Sequence, residues 1–195
     1  MLRLHSTDPR TTLRTRMPSR SGLTLLEVVC SITLLMLGIS ALARLTVGLQ
    51  RATSMSLETE LATQAARAML ERIQAESFAQ AFRSFNATGA DDPGGANTAP
   101  GANFAVAGLR AIPGDPDGQP GEVIFPSPPG QPAVLAETVQ DARLRMPQDL
   151  DGNGAIDSLN HATDYELLPV RVRVRWQSRD GSTGVYELAT ILANY

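Results

Sequence analysis

Residues 21–28 read Ser-Gly-Leu-Thr-Leu-Leu-Glu-Val and open an apolar run that reaches Ala43 with one charge, Glu27, near its start. Positions 23–43 make 21 residues, enough to cross a hydrocarbon core of about 30 Å as a helix that rises about 1.5 Å per residue. An ionised side chain inside such a helix costs roughly 2.5–3.5 kcal/mol on insertion scales. Glu27 therefore requires a partner that is positive and equally buried.

The flanks orient the segment. Residues 1–22 hold Arg3, Arg10, Arg14, Arg16 and Arg20 against one acid, Asp8, while Arg44 and Arg51 follow the run. By the positive-inside rule the N-terminal flank stays cytoplasmic and the C-terminal body lies on the far side. A secretory signal places its small-residue cleavage site after the apolar stretch. Here Gly22 precedes it, so the hydrophobic segment survives a cut at that glycine. Met17 offers a second start, which leaves a short basic leader of residues 17–22.

Gly22, Leu23, Thr24, Leu25, Leu26, Glu27 and Val28 resemble the processing site of type IV prepilins and type II secretion pseudopilins. In that family a glycine precedes the cut, a hydrophobic residue becomes the new N-terminus, and glutamate stands fifth. The resemblance covers roughly residues 17–50 and departs from the family at Leu23, where phenylalanine is usual. It implies cleavage between Gly22 and Leu23 by a prepilin peptidase, N-methylation of Leu23, and pairing of Glu27 with the freed N-terminal amine of a neighbouring subunit during assembly. The implied partners are the peptidase, the bacterial inner membrane and other pilin or pseudopilin subunits. The implied location is a single-pass span with a cytoplasmic N-terminus, then a periplasmic or extracellular filament. A minor pilin-like subunit, a minor pseudopilin of a type II secretion system, and a single-span anchored module that never polymerises all fit these residues. An intact or a processed N-terminus separates the last from the first two.

The expected fold class is α+β, a pilin-like long N-terminal helix, transmembrane in its first half, packed on a small C-terminal antiparallel sheet. The expected organisation is a basic leader at 1–22, a membrane helix at 23–45, an amphipathic continuation at 46–85 and an extracytoplasmic β-rich domain at 86–195. At 195 residues the chain holds an anchor and one modest domain. Its net charge is −3; taking away the five arginines and one aspartate of residues 1–22 leaves 12 basic and 19 acidic residues, a charge of −7. An acidic exported part argues against a nucleic-acid partner. Cys30 is the sole cysteine and lies inside the apolar run, so no intramolecular disulfide forms. It reads as a small apolar residue at a helix contact or as a lipidation site. His5 and His161 stand far apart, and no His/Cys grouping suggests a transition-metal site or a nucleophile–base pair. The chain is expected not to be an enzyme.

Beyond the span, Leu57, Leu61, Ala65, Met69 and Ile73 recur every fourth residue, and Phe78, Phe82 and Phe85 continue at spacings of four and three. The pattern predicts helix from Leu23 to about Phe85, with a stripe that curls around the axis and with Gly38 and Gly48 as bend points. Residues 86–132 are rich in proline and glycine and predict a long surface loop region with short strands at 104–106 and 122–125. Residues 142–146 predict a further strand. Val170, Val172, Val174 and Trp176 alternate with Arg171, Arg173 and Arg175 before a turn at Asp180-Gly181 and a second strand at 185–192. Keeping Glu187 off the apolar face selects an odd loop of three or five residues, which pairs Val174 with Leu188, Trp176 with Tyr186 and Arg175 with Glu187. The three arginines read as the solvated face of this strand or as a partner-binding stripe.

Asp149, Asp151, Asn153, Gly154, Ile156 and Asp157 match positions 1, 3, 5, 6, 8 and 9 of the calcium-loop pattern, and Ala155 supplies a backbone carbonyl at position 7. Asn160 replaces the bidentate glutamate at position 12, which removes one ligand oxygen and one charge. Two readings stand: a calcium site of modest affinity, Ca²⁺ being the one cofactor this sequence suggests, or a surface turn whose side chains bond local backbone amides.

Overall fold

The computed structural model describes Gly22 and residues 24–194; the expected leader at 1–22, apart from its last residue Gly22, and the expected new N-terminus, Leu23, lie outside the described residues. Helix α1 spans Leu25–Ala75. Thr24 caps it, its Oγ1 accepting the Glu27 N–H at 3.3 Å, so residues 24–27 carry the Thr-x-x-Glu pattern of a capping box. The chain divides into two compact units between Thr46 and Val47.

The first unit is the apolar stretch of α1. An 18-residue window there has a mean hydropathy of 2.2 and no buried residue, so the helix is long and apolar enough to cross a membrane. Three of its hydroxyls bond within the helix, Ser31 donating to the Glu27 carbonyl at 2.7 Å, Thr33 to the Val29 carbonyl at 2.8 Å and Thr46 to the Leu42 carbonyl at 2.9 Å. Polar side chains that bond the preceding turn need no water, which suits them to an apolar medium. Gly38 lies within α1 here, as Gly48 does in the second unit.

The second unit is α+β. The rest of α1 is followed by α2 (Phe78–Phe85) and a four-stranded antiparallel sheet in the order β1 (Asn103–Phe104), β2 (Gly121–Ile124), β3 (Leu167–Gln177), β4 (Thr183–Ala193). Short 3₁₀ turns lie at Gly89–Asp91 and Ala142–Leu144. The buried face of α1 is Ala62, Ala66, Met69 and Ile73, which packs in one core with Phe82, Phe85, Val170, Val172, Val174 and Trp176. Leu57 and Leu61, expected on that face, are exposed. At about 100° per residue, Leu57 points roughly 160° away from Ile73, whereas Ala62 points within about 20° of it.

The same arithmetic explains why the helix does not run unbroken to Phe85. On a continuous helix Phe82 would stand about 180° from Ile73 and face solvent. The chain instead leaves the helix at Ser77, which takes extended backbone (φ −61, ψ 134) before α2 begins. That break turns Phe82 and Phe85 inward, where both are at most 1% exposed. Tyr165 fastens the junction, its hydroxyl donating to the Phe78 carbonyl and accepting the Phe82 N–H, with its ring 4.9 Å from that of Phe78.

Residues 142–146 form no strand. Asp141 caps a 3₁₀ turn, accepting the Arg143 N–H on its side chain at 2.9 Å and, on its carbonyl, the Leu144 N–H at 3.1 Å that closes the turn and the Met146 N–H at 3.0 Å that follows it, with Arg145 left-handed at φ 58. Leu144 and Met146 are nevertheless both buried; the turn reproduces the every-second-residue pattern of a half-buried strand.

The β3–β4 hairpin has an odd loop of five residues, 178–182, and Gly181 takes φ 86 as its left-handed position requires. The register lies two residues from the expected one: Val174 faces Tyr186, Trp176 faces Gly184, and it is Arg173 that faces Glu187. The cause is the indole. A Cβ on Gly184 would sit 2.2 Å from Trp176 Cε2, so glycine opposite tryptophan clears the space in which the ring lies. Gly121 opposite Phe104 repeats the device at β1–β2, where a Cβ would lie 2.3 Å from the phenyl ring. Gly184→Ala is expected to destabilise the protein by about 1–3 kcal/mol through overpacking, read as a lower denaturation midpoint; an unchanged midpoint would show that the indole is free to move aside.

The arginines of β3 are ion-paired rather than simply solvated. Arg171, itself buried, meets Asp141 at 3.0 Å, Arg173 meets Glu122 at 2.5 Å and Arg175 meets Asp115 at 3.6 Å. Glu187 pairs with Arg143.

Candidate functional site

Two places carry the residues that sequence singles out. At the first, Gly22 is exposed, and a Cβ added there would meet nothing within 4 Å among the described residues. Its backbone and packing therefore give no reason for glycine. Five residues on, Glu27 lies in the first turn of α1, exposed and on an apolar helix whose large side chains from Leu25 to Leu49 are exposed as well.

The second place is the loop at 149–160. Asp149 accepts the N–H groups of Gly152 and Gly154, both at 2.7 Å, and the Gly154 and Gly152 amides hold its carboxyl below the usual carboxylate range. Asp151 accepts from the Asn153 N–H and side-chain amide, and Asn153 accepts the Ala155 N–H. Asp157 accepts the Leu159 N–H. Asn160 turns to the body of the unit, its Oδ1 accepting from Leu135 at 3.0 Å and Ala162 at 3.1 Å. Most of the proposed ligand oxygens thus hold local amides, as in an Asp/Asn/Gly turn, and Asn160 anchors the loop's end to the segment at 135.

What sequence reasoning did not find is the group beneath the loop. Glu137 is fully buried, accepting the Leu150 N–H at 2.5 Å on one oxygen and the Asp157 N–H at 2.9 Å on the other. Beside it His161, 1% exposed, is ringed by carboxylates. Its Nε2 lies 3.3 Å from Asp157 and 3.8 Å from Glu137, and its Nδ1 lies 3.3 Å from Asp164 and 3.6 Å from Asp151. Burial by itself would depress the imidazole's pKa, but the Asp157 hydrogen bond and the charges of Glu137, Asp164 and Asp151 outweigh it and raise it above the ordinary 6.5. The only available signal was the spacing of Asp157, His161 and Asp164 around a lone histidine; Glu137 lies too far away in sequence to have been placed with them.

Comparison with protein-family models, with curated proteins and with solved structures finds no match to this chain. The class of molecule is thus defined by architecture: a long N-terminal apolar helix whose later turns pack on a four-strand antiparallel sheet, an arrangement that is pilin-like.

Proposed function

We propose that this chain is a minor pilin-like structural subunit, cut between Gly22 and Leu23, N-methylated on Leu23 and assembled through its N-terminal helix into a type IV pilus-type filament. The observation that carries the reading is the first part of α1, apolar and entirely unburied. Covering such a surface stabilises by roughly 25 cal/mol per Å², and a bilayer before assembly and neighbouring helices after it both provide cover. Gly22 supports the reading because packing and backbone give it no other reason to be glycine. Glu27 does as well, since its backbone N–H is already satisfied by Thr24 while its carboxylate stands on an apolar surface where a neighbouring α-ammonium is the natural counter-charge.

Mass spectrometry of the chain isolated from membranes tests the processing step. The expected result is a mature chain that starts at Leu23 and carries one added methyl group; an intact leader would sink the proposal. Glu27→Gln is expected to leave the cut unchanged and to lower filament incorporation at least about tenfold, equivalent to about 1.4 kcal/mol, as read by immunoblot of sheared filaments.

A further inference from the structure

We propose that Glu137, Asp151 and His161 form a site for one divalent transition-series cation of the zinc class. One donor atom from each lies within 4.8 Å of the other two. A tetrahedral ion with bonds of about 2.0–2.1 Å holds its ligand atoms about 3.4 Å apart, so Asp151 and His161 would draw in toward Glu137, whose carboxylate two backbone amides hold in place. His161 Nδ1 and Asp151 Oδ2 already stand 3.6 Å apart.

The independent pointer is His161 itself. Its Nδ1 is buried without a hydrogen-bond partner among the described residues and faces the carboxylates of Asp151 and Asp164. On the opposite side of the ring Asp157 holds Nε2 at 3.3 Å. A carboxylate behind one imidazole nitrogen fixes the proton there and presents the other nitrogen as a lone pair, the arrangement found behind metal-bound histidines. Facing two carboxylates, that nitrogen calls for a cation between them, a proton in the metal-free protein and a metal ion in the proton's place when one binds. Imidazole selects zinc, cobalt or nickel, whereas calcium and magnesium take oxygen. Asp164 is more than half exposed and forms the open side by which an ion enters. The bound ion would join the segment at 137, the 149–157 turn and His161 in a domain without disulfides, stabilising the folded state as structural metals do. Of the calcium-loop residues only Asp151 belongs to this set, and the inference does not depend on filament assembly.

The test uses full-length protein in detergent, stripped with chelator and dialysed against ZnCl₂, CoCl₂ or CaCl₂. Expected are one zinc per chain, visible absorption bands from bound cobalt, zinc binding at least about 100-fold weaker in His161→Gln, and zinc binding unchanged within about twofold in Asn153→Ala. Asp151→Asn is expected to weaken zinc as well, which provides a second ligand variant should His161→Gln fold poorly. The proposal is overturned if the wild-type chain takes up neither zinc nor cobalt stoichiometrically, a result that needs no variant. It is also overturned if His161→Gln folds and binds zinc like wild type, or if calcium binds in preference to zinc and is lost in Asn153→Ala, which assigns the ion to an oxygen-only loop.

Discussion

Phe82→Ala is expected to destabilise the unit that begins at Val47 by about 3–5 kcal/mol. The side chain is fully buried, its ring lies edge-on to Phe125 at a centroid distance of 5.2 Å, and it sits where α2 joins the core shared by α1 and the sheet. Truncation removes the aromatic contact and leaves a cavity bounded by regular structure on several sides, which relaxes poorly. It also takes away the reason for the break at Ser77, so the alanine chain gains the option of extending α1. Chemical denaturation followed through Trp176, the sole tryptophan, measures the loss. A change below about 1 kcal/mol would mean that α2 is not fixed by its phenylalanines.

Glu137→Ala is the second large effect, with an expected loss of about 2–5 kcal/mol. Each carboxylate oxygen accepts a backbone N–H, from Leu150 and from Asp157, and stripping an acceptor from a buried donor costs about 1–3 kcal/mol. The surrounding charge adds to this, because His161 loses one of the anions that hold it. Glutamine is not a rescue: its amide turns a donor toward one of the two N–H groups, so Glu137→Gln is expected to recover less than half of the loss. Denaturation in the presence of chelator isolates this contribution from metal binding. Equal stability of the alanine variant and wild type would show that water replaces the carboxylate at both amides.

These effects mark how far the fold can be read from the chain. The helix-first, strands-last order and the hairpin were legible because each rests on local periodicity, and the parity of the hairpin loop followed from keeping Glu187 off the apolar face. The break at Ser77 was not legible, since no proline or glycine announces it; it is imposed by where Phe82 must go, a tertiary demand. The turn at 142–144 was misread because Leu144 and Met146 alternate in burial as strand residues do. The register escaped by two residues because strand patterns repeat every two, and the deciding feature is the volume of one indole against a glycine. The Glu137–His161 group could not be seen at all, since its members become neighbours only when the segment at 135–137 folds against the 149–160 loop.

The charges on the outer face of β3 give the molecule a graded response to its surroundings. Arg171 and Arg175 tie down the segments at Asp141 and Asp115, while Arg173 braces the neighbouring strand β2 through Glu122, and dissolved ions weaken exposed pairs far more than enclosed ones. The Arg173–Glu122 pair, the one most exposed on both partners, is screened most as salt rises, and the Arg171–Asp141 pair, with the most enclosed arginine, is screened less. Added salt therefore acts first on the outer brace between β2 and β3, while the apolar valine and tryptophan layer beneath depends on burial and not on charge, so surface and core answer to different variables.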